Sequence, residues 1–270
     1  MSGFEVHFAH LEELKNLDKG VFHSEHELQI YKNKGELGEN TRLGNLFVKK
    51  IILQKLGLEL GPQAILVIVD RLTNQGYGYG VPVIDLQGSV RQAWSEKFGS
   101  LPQVSLSHDQ NRFAMALTTS RHPDFRVGLD ILSLKQAEAL YSSGAYAMYV
   151  TENEQAMMTQ LEASPRKLEV FLGGFCLKEA LFKAIAYPDL LGAHNRMPFI
   201  EVRPNKTIEG PWSVRILETD QPVELRGRWY PRLKEIFKDQ NLDPNNIQAS
   251  FQKIDAEYGF AVVKCFFIKG

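Results

Sequence analysis

Hydrophobic and polar positions along this chain fall into two recurring rhythms, and each predicts a kind of element. Alternation over Phe4 to Ala9 predicts a strand, while Ser24 to Lys34 reads as a polar helix. Leu46, Phe47, Ile51, Ile52 and Leu53 recur at helical spacing within Leu43 to Leu56, and Gly57 stops that helix. Ala64 to Val69 is a short branched apolar run, so it predicts a buried strand; Asn74 to Pro82 is a glycine-rich loop. Ser89 to Phe98 predicts a helix. Gln103 to Ser107, Phe113 to Thr119 and Phe125 to Ile131 predict strands separated by the polar turns His108 to Arg112 and Arg121 to Asp124. Helices follow at Ser133 to Tyr141 and Glu152 to Leu161, the second opened by a capping box of Thr151 and Glu154. The strongest helix is Leu168 to Ala186, where Leu177, Ala180, Leu181, Ala184 and Ile185 build an apolar stripe and Pro188 ends it. Ile200 to Arg203, Ser213 to Leu217, Ile247 to Phe251 and Phe260 to Ile268 are strand candidates, and Arg226 to Lys238 a helix candidate.

The same pattern occurs twice. Ser24-Glu25-His26-Glu27 matches Thr151-Glu152-Asn153-Glu154, and Leu43-Gly44-Asn45-Leu46 matches Leu172-Gly173-Gly174-Phe175 with aligned helices after each. Gln103-Val104-Ser105-Leu106 matches Gln248-Ala249-Ser250-Phe251, and each precedes a Phe-Ala strand. The shared order points to a duplication meeting near residue 124, with halves 1–123 and 124–270. The polar residues diverge: Ser107-His108-Asp109 stands where the second half has Gln252-Lys253-Ile254, and Lys178-Glu179 stands where the first has Lys49-Lys50.

Composition narrows the function. With 31 basic against 32 acidic residues the net charge is −1, without the basic excess of a nucleic-acid binder. Two cysteines cannot build a disulfide framework or a cysteine-rich zinc site. No apolar run approaches the ~20 residues of a membrane span, and MSGFEVHFAH does not read as a signal peptide. The expectation is a reduced, cytoplasmic protein.

Three places carry candidate chemistry, each with a plainer reading beside it. Glu179 and Lys183 stand four apart on one helix, either as a solvated ion pair or as a carboxylate for a hard cation beside a lysine for phosphate. Asp130 lies inside Val127-Gly128-Leu129-Asp130-Ile131; it either caps the helix beginning near Ser133 or is paired or coordinated, because an unpaired buried acid is costly. Ser107 and His108 end a strand at a polar turn, where they can meet a phosphate or simply face water.

Taken together and in order, VGLDI, YVTENE and FCLKEALFKA, preceded by GVPVIDLQGSVRQAWSEKFGSLPQVSLSHD, resemble the 4′-phosphopantetheinyl transferase superfamily. The histidine turn precedes the aspartate strand, as in its duplicated, surfactin-synthetase-activating type, while individual motifs are similar to holo-acyl-carrier-protein synthases. The resemblance implies an α+β fold of two pseudo-twofold halves, each a small antiparallel sheet packed on helices, working as a monomer with a site between the halves. It implies magnesium-dependent transfer of the 4′-phosphopantetheine arm of coenzyme A to a serine of an apo carrier protein. Asp130 and Glu179 would hold magnesium, with Asp130, Glu179 and Lys183 the catalytic set. Ser107, His108, Lys178, Lys183, Gly80, Pro82 and Arg42 would line the coenzyme, and Lys135 would meet the carrier. Leu132 replaces a second acid, Val81 a lysine, and AYPDLLGAH a glycine-rich segment of the small synthases. Leu132 and Val81 keep a second class open, a non-catalytic relative that binds a nucleotide or an assembly partner.

Overall fold

The computed structural model describes residues 3–17, 23–33, 37–59, 65–69, 82–121, 123–161, 164, 166–187, 190–225 and 227–268. They form two compact units, one drawn from residues up to 123 and the other from residue 124 onward. The glycine-rich loop lies outside the described residues.

The first unit runs β1 (Phe4–His10), α1 (Leu11–Leu17), α2 (Glu25–Asn33), α3 (Leu37–Leu56), β2 (Ile65–Val69), β3 (Pro82–Leu86), α4 (Gly88–Phe98), β4 (Val104–Asp109) and β5 (Arg112–Thr118). All its pairings are antiparallel, in a sheet of order β1-β5-β4 and a β2-β3 ribbon. The turn between β4 and β5 needs only Gln110 and Asn111, with Gln110 in the left-handed region at φ 47°, so Asp109 pairs directly with Arg112. Leu43, Phe47 and Ile52 of α3 pack on Phe113, Met115 and Leu117 of β5 as the core.

The second unit begins with β6 (Phe125–Ser133), α5 (Leu134–Ser142), α6 (Glu152–Gln160), α7 (Arg166–Ala184) and α8 (Leu190–Arg196). It continues with β7 (Ile200–Pro204), β8 (Gly210–Ile216), β9 (Val223–Leu225), β10 (Arg228–Tyr230), α9 (Leu233–Asp239), β11 (Leu242–Lys253) and β12 (Tyr258–Phe267). Without α8, β9 and β10, the order of elements equals that of the first unit. The sheet runs β6-β12-β11-β8-β7, and β6-β12-β11 repeats the pattern β1-β5-β4. Leu172, Leu177, Leu181 and Phe182 of α7 lie in one core with Phe251, Ala261 and Val263 of the sheet. The two alternating α+β units are thus built alike.

One glycine position is shared for a physical reason. A Cβ on Gly44 would come within 2.7 Å of Leu106, and a Cβ on Gly173 within 3.3 Å of Phe251. Leu106 and Phe251 are the matched positions of β4 and β11, so the long helix rests on the same strand in both units.

Two expectations change. The helix expected over Arg226 to Lys238 is strand β10 followed by the shorter α9, because Pro231 separates them and has no N–H to continue either element. Alpha-helix α1 and strand β3 were not anticipated: the first is only seven residues long, and the second directly follows the glycine-rich stretch.

Candidate active site

The site begins with an absent side chain. A Cβ on Gly128 would sit 1.8 Å from the carbonyl oxygen of Ala180 and 2.6 Å from the amide nitrogen of Ala184. Only glycine lets the backbone of α7 settle this closely on β6. Side chains two apart on a strand share a face, so Asp130 also faces α7. Lys183 donates from Nζ to Oδ1 of Asp130 at 2.7 Å. Asp130 is 7% exposed, and an unpaired carboxylate so placed would be costly; the ammonium offsets that cost. The cap of α5 is Ser133, whose Oγ accepts from the amide of Gln136 at 3.2 Å, so capping is not the work of Asp130.

Glu179 lies one turn before Lys183 and is 6% exposed. Its Oε1 meets Nε2 of His194, from α8, at 2.8 Å. The solvated i, i+4 pair is therefore not what forms: Lys183 reaches across to β6 and Glu179 to α8. Cys176, two turns before Lys183, is buried close to these charges. Burial first, and then the Asp130 carboxylate, push its thiol well above the usual range, so it stays protonated.

Lys178 points elsewhere. Its Nζ donates to Glu154 Oε2 at 2.6 Å and to the carbonyl of Tyr149 at 2.8 Å, and the residue is 1% exposed. Glu154 is the acid of the anticipated capping box: its Oε2 accepts from the Thr151 amide at 2.7 Å while its own amide donates to Thr151 Oγ1 at 3.2 Å. Its Oε1 accepts from the amide of Val202 at 2.7 Å, which ties α6 and α7 to β7. Desolvation lowers the affinity of the Lys178 ammonium for its proton, against the pull of Glu154. The first unit repeats this arrangement: Lys49 donates to Glu27 at 2.7 Å, and Glu27 and Ser24 form the same reciprocal pair of bonds, at 2.8 and 3.2 Å. Burial also lowers the proton affinity of Lys49, again opposed by its glutamate. Lys178 and Lys49 are equivalent latches between helices, and Lys178 and Glu154 also edge a small cleft lined by Phe171, Phe175 and Trp212.

Ser107, His108, Arg42 and Pro82 lie in the first unit. Ser107 is buried near the end of β4, and His108 is exposed with its ring 5.4 Å from that of Phe113. Arg42 is half-buried on α3, Pro82 opens β3, and Gly80 lies outside the described residues. Leu132 is buried and apolar, so it offers a cation nothing. Among the described residues no three His, Cys, Asp or Glu side chains form a ready metal cage. Asp130 and Glu179 are nonetheless a donor set of magnesium's kind, since that ion keeps several waters and takes one or two carboxylates plus substrate phosphates. His194 was not anticipated; the available signal was a lone histidine in the apolar, helix-like LLGAHNR shortly after the Lys-Glu helix.

A family model described as the 4′-phosphopantetheinyl transferase superfamily matches residues 126–241. No curated protein matches the chain. Among solved structures, a holo-ACP synthase from Plasmodium yoelii is 15% identical with a TM-score of 0.35, over 53% of this chain and 95% of the other. A Plasmodium yoelii acyl carrier protein synthase with ADP bound is 16% identical with a TM-score of 0.40, over 53% and 96%. The Helicobacter pylori holo-[acyl-carrier-protein] synthase in complex with coenzyme A is 18% identical with a TM-score of 0.35, over 52% and 98%. No described helix is long and apolar enough to cross a membrane.

Proposed function

Since the chain belongs, through residues 126–241, to the 4′-phosphopantetheinyl transferase superfamily, we propose that it moves the 4′-phosphopantetheine arm of coenzyme A onto a serine of an apo acyl or peptidyl carrier protein. The observation that supports this reading is the buried Asp130–Lys183 pair where β6 lies against α7, with the buried Glu179 one turn before Lys183 on the same helix. Asp130 and Glu179 would hold magnesium, which supplies neutralisation of the pyrophosphate charge. Lys183, held by Asp130, is the cation for a phosphate oxygen. Glu179 takes the proton of the attacking serine hydroxyl, directly or through water. The serine oxygen forms a bond to the β-phosphorus as the bond from that phosphorus to the bridging oxygen breaks, and 3′,5′-ADP leaves. Positioning and charge neutralisation then carry most of the rate. Ser107, His108, Arg42, Gly80 and Pro82 are proposed coenzyme contacts of the first half. The chain is proposed to act as a cytoplasmic monomer.

The test is the mass of apo carrier proteins after incubation with the full chain, coenzyme A and magnesium. Gain of one phosphopantetheine group, lost in Asp130→Ala and in Glu179→Ala, supports the reading. No gain across carriers of fatty-acid, polyketide and peptide synthesis, with coenzyme A binding intact, favours the non-catalytic nucleotide binder, for which the apolar Leu132 speaks.

A further inference from the structure

His194 enters the site from the segment that replaces a glycine-rich stretch of the small synthases. An ionised carboxylate has no hydrogen to give, so in the 2.8 Å contact Nε2 of His194 is the donor and Oε1 of Glu179 the acceptor. Tyr149 packs edge-on against the imidazole with ring centres 5.5 Å apart, and Phe175 at a tilt with centres 6.4 Å apart. The end of α8 is fixed as well. Arg196, two residues on and 1% exposed, donates to Asp220, to the carbonyls of Gln221, Tyr230 and Pro231, and to the hydroxyl of Tyr187. Two ring contacts and an anchored helix end thus set the imidazole against Glu179, as a supporting residue for its rotamer.

We propose that His194 is a positioning residue for the transfer: its hydrogen bond to Oε1 of Glu179 fixes the rotamer of that carboxylate and so the direction its second oxygen faces. The proposal rests on the transferase reading and adds a residue to it. His194 touches neither substrate nor reacting atoms; it acts through Glu179. Hydrogen-bond partners of ligating carboxylates typically contribute roughly 10–100-fold to metal affinity or activity.

The experiment titrates the full-length protein with Mn²⁺ in the presence of coenzyme A, read by the relaxation of water protons, and measures turnover on an apo carrier in parallel. His194→Ala is expected to weaken Mn²⁺ binding and lower kcat by roughly tenfold or more, with the coenzyme KM within about twofold. His194→Gln, whose amide can reach the same donor position, is expected to recover both to within about threefold. Unchanged Mn²⁺ affinity in His194→Ala overturns the assignment. So does a His194→Gln no better than His194→Ala, because ring packing rather than the hydrogen bond would then be the cause. A wild-type protein that transfers nothing to any carrier overturns the transferase reading instead, and the Mn²⁺ titration still decides on His194.

Discussion

Lys178 and Glu154 lie 2.6 Å apart inside the second unit, on two helices that their sequence positions place 24 residues from each other. Lys49 and Glu27 repeat the pair at 2.7 Å in the first unit, where Lys50 stands in place of Glu179. A contact kept in the copy that lacks the acid is architectural. The coenzyme contact that the family resemblance implies for Lys178 therefore competes with a partner already in place. Removing one member of such a pair strands a buried charge at a cost of about 3–5 kcal/mol. Lys178→Met and Lys49→Met should each lower stability by about that amount in denaturant unfolding. Coenzyme A affinity of folded Lys178→Met should change less than about twofold, as for a side chain that makes no ligand contact. A large loss of affinity without loss of stability would return Lys178 to the coenzyme site.

Gly128→Ala tests the approach of β6 to α7. The obstacle is helix backbone at 1.8 Å, which cannot rotate away. Stability should fall by roughly 1–3 kcal/mol or more, as in overpacked cores. Because the strand moves with Asp130 on it, turnover measured well below the melting temperature should fall as well. A variant that keeps full turnover would show that the strand position tolerates this shift.

His108 and Lys183 should separate kinetically. His108 is exposed, so His108→Ala should leave unfolding within about 0.5 kcal/mol of the parent and act, if it contacts a phosphate, on the coenzyme KM. Lys183→Ala removes the partner of Asp130 and should lower kcat too, since a lysine on the reacting phosphate gains strength as charge develops. Steady-state kinetics with coenzyme A titrated distinguish the two; unchanged constants in both variants would remove these residues from the site.

Burial pushes the Tyr187 hydroxyl up to about 12, against the bond it accepts from Arg196 at 3.3 Å. An unfolded tyrosine ionises near 10, so between about pH 10 and 12 the folded state holds the proton that the unfolded state has released. The associated stability is fully present below about pH 10 and is lost as pH rises through about 12, up to about 3 kcal/mol. Tyr187→Phe should unfold less steeply over that alkaline range. Parallel alkaline unfolding curves would contradict the assignment.

The readable parts of the chain were those whose signal is local, an apolar period or a cap. Alternation over Phe125 to Ile131 and the spacing over Leu168 to Ala186 foretell β6 and α7, and the local bonds of Thr151 and Glu154 foretell the start of α6. What the sequence conceals is reached over long separations. The capping acid Glu154 also serves Lys178 and Val202, partners 24 and 48 residues away that no local pattern announces. His194 shows no periodic signal for the same reason, as its partner Glu179 sits on another helix. Nothing local marks Gly128, and only the packed helix shows why no side chain fits there.

The two cysteines give the protein a built-in clock. Cys176 on α7 and Cys265 on β12 are fully buried, and both lie in the second unit. Burial also holds both thiols far from ionisation, so an alkylating reagent meets a thiolate only when that unit opens. The first unit contributes no sulfhydryl, so the rate of labelling times the opening of the second unit alone. Coenzyme A binding, if it bridges Glu179 and Asp130, should slow that clock at Cys176 before it slows it at Cys265.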